Sequence, residues 1–192
     1  MISMVIVAPV AGLLLGFLDF VWIKFVPFPF GGLGNSIAVW AVAAFLLTWS
    51  RRRPMGPSIA GAVVMLVVAV PAYYVAAALI QGDDWSNIWA VTSFLWMGLG
   101  VVAGVVFGAG GVLARSPGRL RLPALGLPAA VLVAEAILRP GDLAYVVVLV
   151  LLALGVTVLV APAWRDRALA LAWAVPLSAV GYLLMIGTAF SR

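Results

Sequence analysis

The stretch DLAYVVVLVLLALGVTVLVAP, residues 142–162, decides the fold class of this chain. After Asp142 it holds no charged side chain, over a length that lets a helix cross the ~30 Å hydrocarbon core of a bilayer. It also lacks the alternation of apolar and polar residues that is typical of strands in membrane barrels. Because backbone N–H and C=O groups must be satisfied internally in lipid, the stretch predicts a transmembrane α-helix.

The rest of the chain repeats this pattern between short breaks of charge, proline or glycine. The chain is 66% hydrophobic and 9% charged, whereas soluble domains are roughly 25% charged. The sequence therefore predicts an all-α, polytopic membrane bundle of seven transmembrane helices, formed by the single domain 1–192. The predicted spans are residues 3–24, 35–50, 57–80, 86–114, 121–138, 142–162 and 166–189.

The cationic residues predict the orientation of this bundle. Eight arginines fall on one side of the predicted spans, and Lys24, Arg139 and Arg192 fall on the other. By the positive-inside rule, the N-terminus is cytoplasmic and the C-terminus lies outside, in the cell membrane. The net charge of +5 is then a sign of orientation, and no nucleic-acid partner is expected. The eight are Arg51, Arg52, Arg53, Arg115, Arg119, Arg121, Arg165 and Arg167.

The residue types that are missing narrow the possible chemistry. With no cysteine and no histidine, the chain has no thiolate nucleophile and lacks the usual zinc and haem ligands. We therefore expect no metal and no cofactor. The first ten residues carry no Lys or Arg, so we interpret them as part of the first span and not as a signal peptide.

Two carboxylates fall within predicted spans, Asp19 and Glu135. An acid inside a membrane costs a few kcal/mol unless it is paired or protonated, so each is a candidate for function. Structural pairing is the alternative: Glu135 could bind Arg139 four residues later, and Asp19 could meet Lys24 or Asn35. Five residues do not place Lys24 on the face of Asp19, which makes Asp19 the better candidate.

The segment FVPFPFGGLGN, residues 25–35, follows Asp19 closely. It is too apolar for a solvated loop, and its prolines and glycines prevent a regular helix. Irregular backbone near membrane depth is tolerated where it lines a cavity or is buried in protein. We therefore expect a structured lid beside Asp19, with Asn35 facing that acid.

Aromatic residues concentrate toward the same outer face. Trp85, Trp89, Thr92 and Trp96 have the spacing of one helical stripe, which predicts an aromatic wall that binds cations or flat ligands. Packing against neighbours or lipid is the alternative. The residues predicted to contact a substrate are Trp22, Asn35, Trp40, Tyr73, Tyr74, Trp85, Trp89, Thr92, Trp96 and Tyr182.

Small residues and a pair of adjacent acids complete the pattern. Gly12 and Gly16, and the run Gly100, Gly104 and Gly108, form GxxxG faces that predict close helix packing and allow a helix-mediated homo-oligomer. The adjacent acids in QGDDWSN, residues 81–87, suit a helix N-cap at least as well as a magnesium-bound diphosphate.

Buried acids, an aromatic-lined cavity and an apolar setting suit a reaction that begins with proton transfer to an alkene or epoxide. In size, topology and acid and aromatic content, the chain resembles the small seven-helix integral-membrane terpene cyclases. This resemblance implies metal-independent, proton-initiated cyclisation of a lipophilic substrate in contact with membrane lipid. It also implies that Asp19 or Glu135 is the proton donor.

Two other functions remain open from the sequence. The chain could be a substrate-binding or transport subunit, in which acids and indoles hold a small cationic or heterocyclic ligand. It could also be a structural membrane protein whose acids and tryptophans reflect interface preferences alone.

Overall fold

The computed structural model describes residues 3–187. Over that range the chain forms α-helices and two short 3₁₀ helices, without a β-strand. The 3₁₀ helices are Phe30–Asn35, called the lid segment below, and Trp85–Trp89. The α-helices are α1 Met4–Phe25, α2 Ile37–Arg51, α3 Met55–Gln81, α4 Val91–Arg115, α5 Arg121–Leu138, α6 Leu143–Val160 and α7 Trp164–Gly187.

The predicted all-α polytopic membrane bundle is confirmed. Six of these helices are long and apolar enough to cross a membrane, and α2, with 15 residues, is a shorter apolar helix. The predicted helix over 121–138 has the observed bounds of α5, and most other boundaries differ by one or two residues. Residues 188 and 189 of the last predicted span lie outside the described residues. The orientation and the identity of the membrane stay predictions.

The fourth predicted span is wrong at its N-terminal end. Ala90 has extended backbone angles, φ −67° and ψ 152°, and separates the Trp85–Trp89 3₁₀ helix from α4. Trp85 and Trp89 therefore do not continue the helical register of Thr92 and Trp96. The single aromatic stripe predicted from the spacing of these four residues does not exist.

The bundle has two groups of helices, joined by α2 and by the contact of α4 with α5. In the first group α3 packs between α1 and α4, and in the second α5 contacts both α6 and α7. The central α2 contacts α3, α4 and α5, and its buried residues include Phe45 and Thr48. The outer faces of the bundle carry large exposed apolar side chains, as expected for surfaces that contact lipid.

The glycine faces predicted for packing both pack on α3. A Cβ atom on Gly16 would collide with the backbone of Ala69, and one on Gly104 would lie 2.6 Å from the Cα of Val63. The two faces thus bring α1 and α4 close to the backbone of α3. Because α3 covers them, they no longer support a homo-oligomer, which stays a prediction.

The short α2 leaves a gap near one end of the bundle. At 1.5 Å per residue α2 is about 22 Å long, whereas α3, which follows it after three residues, is about 40 Å long. The first turn of α2 therefore begins deep in the bundle, and the lid segment fills part of the space above it. By the same rise, Asp19 lies about 22 Å from the start of α1, near the level at which α2 begins.

We expect Gly104→Ala to destabilise the protein, because the added methyl would meet the α3 backbone. Overpacking of this kind costs about 1–3 kcal/mol. The matched control is Gly98→Ala on the same helix, where a Cβ has no neighbour within 4 Å and helix propensity favours alanine by up to ~1 kcal/mol. Thermal unfolding in detergent compares the two, and equal shifts would contradict this packing.

Candidate functional site

A partly open cleft of about 210 Å³ lies between α1, α2, α3 and α4 at the end covered by the lid segment. This cleft is lined by six of the residues that the sequence predicts as site residues. Its remaining walls are largely apolar, and the small residues Ala41, Gly100 and Ala103 leave the space open. The six predicted residues are Asp19, Asn35, Trp40, Tyr73, Tyr74 and Trp96.

The cleft exists because α1 and α2 scarcely touch within the described chain. The lid segment bridges them: a Cβ atom on Gly34 would lie 2.7 Å from the backbone oxygen of Asp19. The indole of Trp22 donates to the carbonyl of Phe30 at 2.8 Å, which ties the lid segment to α1. The lid expected beside Asp19 is present, and Asn35 and Asp19 line the same cleft.

Asp19 is buried, with 9% of its surface exposed. The Trp40 side chain interacts with its carboxyl group. Lys24 instead donates to the Gln81 side chain at 3.1 Å. In residues 3–187, Arg121 and Asp166 form the one ion pair, at the arginine-rich end. Asp19 is therefore a cleft carboxyl that forms no ion pair with a Lys or Arg of the described chain.

Aromatic rings surround this acid. Tyr73 makes edge-to-face contacts with Phe20, at 5.3 Å between ring centroids, and with Tyr74, at 5.5 Å. The indoles of Trp40 and Trp96 line the same cleft. Aromatic faces attract cations, so a carboxyl among such rings suits either an organic cation or a reaction in which positive charge develops.

Glu135 does not line the cleft. Its Oε2 accepts hydrogen bonds from the Ser36 hydroxyl and the Ala38 backbone N–H, both at 2.9 Å, and its Oε1 accepts from the Tyr145 hydroxyl at 2.8 Å. The alternative ion pair with Arg139 is not formed: that guanidinium lies 5.3 Å from the centre of the Tyr145 ring. The structure thus separates the two intramembrane acids, and Ser36 lies between them.

The other residues predicted to contact a substrate lie elsewhere. Trp22, Trp85 and Trp89 are exposed by 44%, 54% and 72%, and Thr92 is exposed on α4. Tyr182 packs against the core around α5. The cleft contacts of these five residues are therefore not supported by the geometry.

Sequence reasoning missed two polar residues near the cleft. Ser36 lines it and caps α2, since its hydroxyl oxygen accepts from the Val39 N–H at 3.1 Å. A serine directly before an apolar run is an N-cap signal, and it could have been found. Tyr145 carried no such signal, because its partner Glu135 is on another helix.

The adjacent acids Asp83 and Asp84 favour the cap interpretation. The Asp84 carboxylate accepts from the Ser86 backbone N–H at 2.8 Å and caps the Trp85–Trp89 helix. This hydrogen bond holds the pKa of Asp84 below its usual value. The described part of the chain contains no cluster of three acidic, His or Cys side chains able to hold a metal ion.

Fold and cleft define a polytopic helical membrane protein with an acid-bearing, aromatic-lined cleft. The chain belongs to DUF6518, a family of unknown function, whose model matches residues 1–189. No curated protein and no solved structure matches the chain.

We expect Asp19→Asn to leave the unliganded protein at least as stable as the wild type, because the substitution keeps the shape and removes an acid that pairs with no cation in the described part of the chain. The comparison is Ser93→Ala, since the fully buried Ser93 hydroxyl donates to the carbonyl of Asn87 and its loss should cost about 1 kcal/mol. Thermal unfolding in detergent measures both. Destabilisation by Asp19→Asn equal to or above that of Ser93→Ala would make Asp19 a structural acid.

Proposed function

We propose that the protein is a membrane enzyme that acts on a small lipophilic substrate in the cleft. Asp19 donates the proton that begins carbocation chemistry on an alkene or epoxide of terpenoid type. The observation that carries the proposal is the placement of Asp19, a buried cleft acid that lies among aromatic rings and pairs with no Lys or Arg of residues 3–187. Glu135, the other predicted donor, has its carboxylate engaged outside the cleft.

The reaction needs no further reagent. The neutral Asp19 carboxyl gives its proton to an alkene carbon or an epoxide oxygen, and a neighbouring double bond attacks the resulting cation to close a ring. The Asp19 carboxylate then recovers a proton from the carbon next to the final cation. The product is an isomer of the substrate. Rings from Trp40, Tyr73 and Trp96 face the positive charge, and apolar walls exclude water that would quench it.

The size of the cleft limits the substrate. Its 210 Å³ is below the roughly 300–1,000 Å³ of sites that enclose a drug-sized ligand. The cleft therefore suits the reacting end of a prenyl chain or a compound of similar size. Any longer tail would extend through the open side of the cleft.

A second candidate function is reversible binding of an organic cation by a binding or transport protein. The specific observation in its favour is the same carboxyl among four aromatic side chains, since quaternary ammonium groups bind in such cages. The two functions differ in the charge of Asp19, which is neutral before proton donation and ionised beside a bound cation.

Membranes containing the protein, incubated with linear and epoxidised prenyl compounds, test the first function by mass spectrometry. We expect a cyclic isomer, formed at least about 100-fold more slowly by Asp19→Asn, because general-acid catalysis contributes about 10²–10⁴-fold. The matched control is Asp83→Asn, an acid at the same end of the bundle that does not line the cleft.

A binding assay with a lipophilic quaternary ammonium compound separates the two candidates. Saturable binding that Asp19→Asn weakens, without conversion of any prenyl compound, would contradict the enzyme and support the second function. If the wild type neither converts a prenyl compound nor binds the ammonium compound, both candidate functions are contradicted.

A further inference from the structure

We infer that Glu135 is a positioning residue: its carboxylate clamps the start of α2 and the lid segment, and so fixes the cleft wall that carries Asn35, Ser36 and Ile37. The inference deepens the proposed function, because it assumes that the cleft is the functional site. It assigns Glu135 no proton transfer to a substrate.

The clamp joins four elements through one buried side chain. Glu135 is on α5 and is 4% exposed. It accepts hydrogen bonds from Ser36 and Ala38 at the start of α2 and from Tyr145 on α6. The Tyr145 hydroxyl also lies 3.1 Å from the carbonyl oxygen of Gly32, within hydrogen-bonding distance, which brings in the lid segment.

The lid segment also packs closely on Tyr145. A Cβ atom on Gly32 would lie 2.7 Å from the Tyr145 ring, so the lid backbone rests directly on that ring. The guanidinium of Arg139 also lies over this ring, 5.3 Å from its centre. Movement of Tyr145 would therefore release both the lid segment and one of the donors to Glu135.

Helix electrostatics explain why a carboxylate occupies this position. The first N–H groups of α2 have no partner inside the helix, and the N-terminus carries about half a positive charge. Glu135 meets that charge directly through the Ala38 N–H. Without the carboxylate, these donors would be left in an apolar interior, and the first turn of α2 would shift or unwind to find other partners.

Substitution of Glu135 by glutamine and by alanine distinguishes a clamp from a proton donor. In Glu135→Gln the amide oxygen can accept from Ser36 and Ala38, and the amide nitrogen can donate to the Tyr145 oxygen while that hydroxyl donates to Gly32. The clamp is thus retained without an acidic proton. Glu135→Ala removes all three acceptor contacts. A positioning residue tolerates Gln and not Ala, whereas a proton donor tolerates neither.

The absence of native cysteine allows a direct measurement of the cleft wall. Ile37→Cys places a single thiol on that wall, and its rate of reaction with a small maleimide is measured in the full-length protein. We expect Glu135→Ala to raise this rate at least about tenfold, because charge-assisted hydrogen bonds that close the site are lost. Glu135→Gln should stay within about twofold of the parent.

Two further variants complete the design. Thr157→Val removes a buried hydroxyl that bonds the Ala153 carbonyl within α6, away from the cleft, so it lowers stability without raising the labelling rate. Tyr145→Phe removes only one of the three donors to Glu135 and should raise the rate by a smaller factor. This variant keeps the inference testable if Glu135→Ala does not fold.

Turnover and labelling together identify the outcome. The expected result is a raised KM in Glu135→Ala with near-normal kcat and KM in Glu135→Gln. Equal labelling in all variants, or loss of turnover in Glu135→Gln with unchanged labelling, would overturn the inference. If the protein does not catalyse the proposed reaction, the labelling pattern is still expected. Failure of the proposed function is therefore distinguishable from failure of the inference about Glu135.

Discussion

A helix that begins inside a membrane bundle must have its first N–H groups satisfied by protein, because no bulk water reaches them. The start of α2 is such a position. Ser36 caps it from within the chain, and Glu135 reaches it from α5, with Tyr145 of α6 on the other carboxylate oxygen. The short α2 thus takes polar partners from two helices of the second group, and those partners tie α5 and α6 to its first turn.

The same constraint creates the cleft. Since α2 does not extend to the end of α3, the space above it is filled only in part, by the short 3₁₀ helix of the lid segment. Asp19 lies on α1 near this level and takes no part in satisfying the α2 terminus. The two intramembrane acids therefore differ in kind: Glu135 has donors on both oxygens, whereas Asp19 faces open space. An intramembrane acid that lines a cleft and pairs with no cation of the described chain is the better candidate for function.

Much of this architecture could be predicted from the sequence, because long apolar runs and punctuating charges are local signals. The lid beside Asp19 was also predictable, since prolines and glycines so close to an intramembrane acid exclude a regular helix. The role of Glu135 could not be predicted from the sequence, because its partners Ser36 and Ala38 lie 99 and 97 residues away. The aromatic stripe failed for a local reason: the backbone breaks at Ala90, within a spacing that continues smoothly in the sequence.

Both candidate functions have one physical origin. Lys24 is the cation nearest to Asp19 in the sequence, and it bonds Gln81 instead. Since no Lys or Arg of residues 3–187 pairs with this carboxyl, its positive partner in both candidate functions is a proton or a ligand. The rings of Trp40, Tyr73, Tyr74 and Trp96 stabilise cations without supplying one. A lysine or arginine in the cleft would have neutralised Asp19 permanently and repelled any cationic ligand or intermediate. A cleft built from neutral rings around an acid therefore favours positive charge that arrives with the ligand or arises during its reaction.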